Sequence, residues 1–313
     1  MKLLMKMSGS LFSLVTSERK RGLMLFVLMI FPMMVGTLSA QRMIAHRGTV
    51  KDAYNFWFYV PPVIAPPDSA VVPPLVIDSI RGEEGDLMEA MVRKPLVIFL
   101  HGASLRGNNL SQVRRYGTLD ALSKGLNLDA YVLAPQHPTG GWQPERIDRL
   151  VDWALERYAI DSTRIYVLGM SMGGFGTIDY AAASPQRVAA GLALCGGDTP
   201  KTNHKNLLKV PLCILHGTED HQVPWESSQR VVDSMRAVGD TTRLIYRLLP
   251  GQNHSMLSHY FYFKSVYDWL FLHSTTDKWR PVRRRYGFIG QLAQKHPSPF
   301  EKSDKKIQIK QGE

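Results

Sequence analysis

The chain has 313 residues, of which 44% are hydrophobic, enough for one large core, since single α/β domains often run to about 250 residues. Its formal charge of +11 is concentrated at the ends: residues 41–272 hold 23 Lys/Arg against 22 Asp/Glu. A nearly neutral body excludes a nucleic-acid-binding surface as the explanation of the basic balance.

Residues 1–40 read as a targeting segment. Lys20 and Arg21 precede an uncharged run from Leu23 to Gly36, and Thr37-Leu38-Ser39-Ala40 ends in small residues. That order is the grammar of a signal peptide. The rival is an uncleaved anchor, because Leu23 to Ala40 is 18 uncharged residues, at the short limit of a membrane span. Both imply export: periplasmic, secreted or membrane-anchored by residues 23–40. The remainder divides into a folded domain, 41–274, and a basic, solvated tail, 275–313. The tail is the one part suited to a weak contact with an anionic surface.

Within the domain, residues 53–60 form an aromatic-rich strand that Pro61-Pro62 terminates. Residues 61–94 carry further prolines and the acids Glu83, Glu84, Asp86 and Glu89, and read as an irregular insertion, with one extended piece at 75–80. Strands are expected at 95–100, 130–134, 165–168, 188–195, 210–215 and 243–249. Helices are expected at 110–124, 146–158, 175–183, 227–238 and 258–272. Such alternation gives a mostly parallel sheet with helices on both faces. Cys195 and Cys213 each fall in an apolar strand and read as buried free thiols, with a disulfide the alternative. Their spacing offers no metal site, and no cofactor motif occurs.

Gly169-Met170-Ser171-Met172-Gly173 joins the strand at 165–168 to the helix at 175–183. A serine between glycines in that context is a nucleophile elbow. Its hydroxyl needs a base, and the base needs an acid, in the chain order Ser, Asp/Glu, His. Asp220 follows the strand at 210–215 and precedes a helix; Asp198, after the previous strand, is its competitor. His254 lies in the loop after the strand at 243–249; His259 is the fallback, on the final helix. The N–H groups expected to bind an oxyanion are those of Met172 and of Ala103, with Ser104 the alternative to Ala103. His101 and His216, each before a glycine at a strand end, read as stabilisers of turns. Trp142 and Trp225 fall in loops at the catalytic end and are expected to line a substrate groove.

Leu100-His101-Gly102-Ala103, Gly169 to Gly174, His216-Gly217 with Asp220 and Val223-Pro224, and Gly251 with His254 together resemble the α/β-hydrolase superfamily. The chain is similar to its small, cap-less esterases: the dienelactone-hydrolase-like, phospholipase/carboxylesterase, polyhydroxybutyrate-depolymerase and feruloyl-esterase groups, and predicted peptidases. The resemblance spans about 54–273. It implies an α/β-hydrolase fold without a large cap domain and a serine esterase with a Ser171–His254–Asp220 triad. Dienelactone hydrolases carry a cysteine nucleophile, so Ser171 argues for ester chemistry. The connection from Gly196 to Lys209 is too short for a helical lid, which suits bulky or polymer-linked esters, of carbohydrate or aryl type. A peptidase on the same triad, and a binding protein with a vestigial triad, are the alternatives.

Overall fold

The computed structural model describes residues 42–62 and 93–277. The segments read from sequence as a targeting peptide, as most of the insertion and as nearly all of the tail lie outside the described residues. Eight strands form one sheet: β1 (Arg42–His46), β2 (Asn55–Val60), β3 (Lys94–Leu100), β4 (Tyr131–Gln136), β5 (Ile160–Met170), β6 (Val188–Leu194), β7 (Leu212–Gly217) and β8 (Leu244–Leu249). Their spatial order is β1-β2-β4-β3-β5-β6-β7-β8. β1 is antiparallel to β2 and β2 to β4, while β4, β3, β5, β6, β7 and β8 are all parallel.

The central strands are buried on both faces, as a parallel sheet covered by helices must be. Side chains on β3 alternate: Val97 and Phe99 enter one core layer, and Leu96, Ile98 and Leu100 the other. The first layer is closed by α1 (Thr118–Ser123) and α6 (Lys264–Leu270), with Leu119, Leu122, Val266 and Trp269 facing the sheet. The second is closed by α2 (Pro144–Arg157), α3 (Met172–Ala183) and α5 (Glu226–Val238), through residues such as Ile147, Val151, Ile178, Val231 and Met235. Crossovers between the parallel strands β3 to β8 bring the carboxyl ends of these six strands to one rim, which is where α/β sheets place ligands. The β6–β7 connection contains only the four-residue α4 (His204–Leu207). Among the described residues no cap stands over the rim there.

Two elements differ from the sequence expectation. The helix expected at 110–124 is a 3-10 turn at Leu110–Arg114 followed by α1. Gly117 separates them with φ +89, and a Cβ there would meet the Phe99 ring at 2.1 Å. The helix expected at 258–272 is a 3-10 segment, Ser255–Tyr262, then α6, with Phe263 extended between them. β1 is an additional edge strand.

The antiparallel β2 places Asn55 opposite Gln136 and Tyr59 opposite Val132. The chain therefore leaves β2 at Pro61, and enters β3 at Lys94, at the end of the sheet opposite the catalytic rim.

Candidate active site

β5 ends at Met170 and α3 begins at Met172, so Ser171 alone makes the turn, with φ 58 and ψ −125. A non-glycine residue at positive φ is strained and persists only where its surroundings over-determine it. Here the constraint is packing: a Cβ on Gly173 would lie 1.8 Å from the Leu100 carbonyl oxygen, and one on Gly169 2.4 Å from that of Gly173. The helix start is thus pressed against β3 and β5. The Ser171 N–H donates to Leu194 O (2.9 Å) and its carbonyl accepts from Phe175 N (3.0 Å), fixing the turn from both sides.

Asp220 and His254 come from the loops after β7 and β8. His254 Nδ1 lies 2.7 Å from Asp220 Oδ2. Asp220 Oδ1 accepts from the N–H groups of Gln222 and Val223, both at 2.9 Å. Burial pushes the Asp220 carboxyl up, but the donors at Val223, His254 and Gln222 outweigh it and hold the group below the usual carboxylate range. An ionised Asp220 takes the Nδ1 proton as its hydrogen-bond partner, which leaves His254 Nε2 with a lone pair, the tautomer a general base requires. Asp198, the competing acid, pairs instead with His204 Nε2 at 2.9 Å. His259 lies in the 3-10 segment beyond His254.

Ala103 and Met172 open a 3-10 turn (Ala103–Leu105) and α3, and Gly102, just before Ala103, lies so close to the Ser171 turn that an added Cβ would come 3.6 Å from Ser171 Cβ. Neither the Ala103 nor the Met172 N–H has an acceptor among the described residues. Two free donors beside a helix N-terminus suit an oxyanion. Ser104 lies next to Ala103 and is exposed.

Trp142 has different surroundings from those expected. Trp142 is 7% exposed and packs under Gly176 of α3. Its indole N–H donates to the His101 carbonyl at 3.3 Å, and its ring meets Tyr54, His101 and His137 edge-on. It buttresses the loop instead of lining a groove, because its N–H finds a partner inside. Trp225 is half-buried at the start of α5.

Three residues near the site escaped the sequence argument or were under-read by it. The Tyr116 hydroxyl accepts from Gly102 N at 3.0 Å and pins the loop that carries Ala103. Cys195 is free, buried and at φ 39. Its sulfur faces the Ser171 backbone and the Asp220 carboxylate, and lies with Asp220 and His254 in a cluster whose ligand-type atoms are all within 4.8 Å of one another. Burial pushes the thiol far up, and the neighbouring carboxylate adds to that, so it is neither nucleophile nor ready metal ligand. His216 bridges Ser228 Oγ (2.7 Å) and Val223 O (2.9 Å), and its Nε2 is 3.4 Å from Asp220 Oδ2. It ties the acid's loop to α5. The one legible signal for Cys195 and His216 was that each sits next to a glycine at a strand's carboxyl end.

A six-stranded parallel core with a strained serine between strand and helix, and an Asp–His pair on the following loops, defines the α/β-hydrolase fold, and the chain has that fold. Residues 142–265 match the model of the Dienelactone hydrolase family. Among curated proteins, the bifunctional acetylxylan esterase/xylanase XynS20E of Neocallimastix patriciarum is 27% identical over 150 residues, 45% of this chain and 22% of that protein. Acetylxylan esterase A of Emericella nidulans is 40% identical over 57 residues, 18% of this chain and 19% of that protein. The matches thus span about a fifth of the length of these relatives. Among solved structures, a thermostable esterase superposes with a TM-score of 0.53 at 20% identity, covering 76% of this chain and 64% of that one.

Proposed function

We propose that the protein is a serine esterase that hydrolyses carboxylic esters through Ser171, His254 and Asp220. The observation that carries this is the 2.7 Å bond from His254 Nδ1 to a buried, doubly N–H-bonded Asp220, on loops that follow the strained Ser171 turn in chain order. Ser171 Oγ attacks the ester carbonyl while its proton passes to His254 Nε2. The carbonyl oxygen takes up negative charge, and the N–H groups of Met172 and Ala103 receive it. The intermediate collapses, His254 returns the proton to the departing alcohol, and an acyl-serine remains. Water, deprotonated by His254, repeats the attack and frees the acid.

The substrates are bulky or polymer-linked esters, of carbohydrate or aryl type. The short β6–β7 connection supports this, because a rim without a cap admits a chain passing across it. The curated relatives are a bifunctional acetylxylan esterase/xylanase and an acetylxylan esterase, each matched over about a fifth of its length. Export, inferred from residues 1–40, would bring the enzyme to such polymers.

The test is an ester panel of p-nitrophenyl acetate and butyrate, acetylated xylan and a feruloyl ester, run on the full chain and on Ser171→Ala. Turnover that disappears with the hydroxyl, with an unchanged thermal midpoint, is the expected result. Cleavage of a peptide amide in preference to every ester, or full activity in Ser171→Ala, would overturn the assignment.

A further inference from the structure

We infer that Arg106 forms an anion subsite beside the reacting carbonyl, so that the preferred esters carry a carboxylate on their acyl or alcohol half. The inference rests on the esterase assignment and narrows its substrate class. Arg106 directly follows the 3-10 turn that presents Ala103, and its own N–H closes that turn on Ala103 O at 3.2 Å. Its guanidinium Nε lies 3.0 Å from the sulfur of Met172. Met172 is the residue whose backbone N–H faces the oxyanion, so the cation is held against one wall of the proposed oxyanion site by a side chain of that wall.

A thioether is a weak acceptor and carries no charge. The two Nη groups make no hydrogen bond among the described residues, and no Asp or Glu oxygen of those residues comes within 4.0 Å of the guanidinium. Two acids on the same rim are engaged elsewhere, Asp220 with His254 and Asp198 with His204. Neighbouring imidazoles cannot neutralise it, since an imidazole is either neutral or cationic; burial and, less strongly, the Arg106 charge lower both His101 and His137. An exposed cation with an open planar fork is the shape that binds a carboxylate in two parallel hydrogen bonds. Its position beside Met172 sets the reach: the carboxylate must sit within a few bonds of the scissile ester, as in a dicarboxylic half-ester or an ester on a uronate ring.

The experiment measures kcat/KM for two matched pairs. The acyl pair is the p-nitrophenyl half-ester of succinate against p-nitrophenyl butyrate. The alcohol pair is an O-acetylated uronate against the same O-acetylated neutral sugar. Wild type should favour the anionic member of at least one pair, and 0.5 M NaCl should reduce that preference. Arg106→Gln should lower the anionic-to-neutral ratio about tenfold, mainly through KM, and Arg106→Lys should fall between the two. The pair that responds tells which half of the ester carries the charge. If neutral esters turn over but Arg106→Gln leaves both ratios unmoved, the subsite is wrong and the esterase assignment stands. If wild type hydrolyses no ester of either pair, both fail.

Discussion

At the scale of single residues, the site depends on which acid orients the base. Asp220 and Asp198 follow adjacent strands, and each has a histidine partner, so order in the chain did not separate them. The structure does: Asp220 contacts His254, and Asp198 contacts His204. Replacing Asp220 with Asn keeps the shape but presents an amide to Nδ1, which favours the tautomer with its proton on Nε2 and removes the base. Asp220→Asn should lose about 10⁴-fold in kcat on p-nitrophenyl acetate, and Asp198→Asn less than about tenfold. Exchanged results would move the acid to the β6 loop. The tryptophans show where residue-level reading from sequence stops. Loop position put both Trp142 and Trp225 at the catalytic end, but Trp142 turns inward, where an indole N–H has the His101 carbonyl to bond and Gly176 leaves it space. Only the three-dimensional neighbourhood contains that information.

Elements were legible where a local signal decided them. The parallel strands are continuous apolar runs, and α2 and α5 have clear 3.6-residue periodicity, so both classes appear within a few residues of where the sequence puts them. What escaped was decided by distant contacts. The segment 110–124 has helical composition, but Gly117 breaks it at φ +89, with its bare backbone so close to the Phe99 ring that an added Cβ would meet it. β1, RMIAH, has no strand composition and exists because β2 offers it an edge to pair with. The elbow itself is an element-level device, and the prediction belongs at Gly173. An added Cβ would meet the Leu100 carbonyl oxygen at 1.8 Å, a backbone atom that moves only if β3 or α3 moves. Gly173→Ala should cost at least about 3 kcal/mol in denaturant-derived stability and abolish ester turnover. Gly191→Ala, on neighbouring β6, meets first a Leu212 methyl at 3.1 Å, a side-chain atom that can give way, and should cost about 1 kcal/mol or less. A folded, active Gly173→Ala would show that close approach is not what holds the serine in its strained turn.

At the scale of the whole molecule, the buried histidines set an acid limit on stability. His101 is fully buried between the Gly102 carbonyl, 2.7 Å from Nδ1, and the His137 N–H, which donates to Nε2 at 3.0 Å. One ring nitrogen must donate and the other accept, so the folded state holds it neutral, and burial lowers it from 6.5 to about 4. His46, His137 and His216 are also lowered, in each case chiefly by burial. In the unfolded chain all four take up protons below about 6.5. Between that value and their lowered folded values the unfolded state binds more protons, so stability falls as pH falls across this window and is level above about pH 7.5. His101 alone contributes about 3 kcal/mol to the loss on reaching pH 4, from 1.36 kcal/mol per pH unit. Asp220 acts in the same direction lower down: its stabilisation is complete above the ordinary carboxylate range and lost as pH drops through its lowered folded value. Thermal midpoints at pH 7.5, 6.5, 5.5 and 4.5 should therefore fall slightly across the first pair and steeply across the second. His101→Gln should be less stable at pH 7.5, because it breaks the loop's hydrogen bonds. Its stability should nevertheless vary less with pH than that of wild type between 6.5 and 4.5, because one suppressed proton site is gone. A midpoint that holds or rises from pH 6.5 to 4.5 would show that these imidazoles accept protons without unfolding, and that the loop between β3 and the serine is more open to water than its packing indicates.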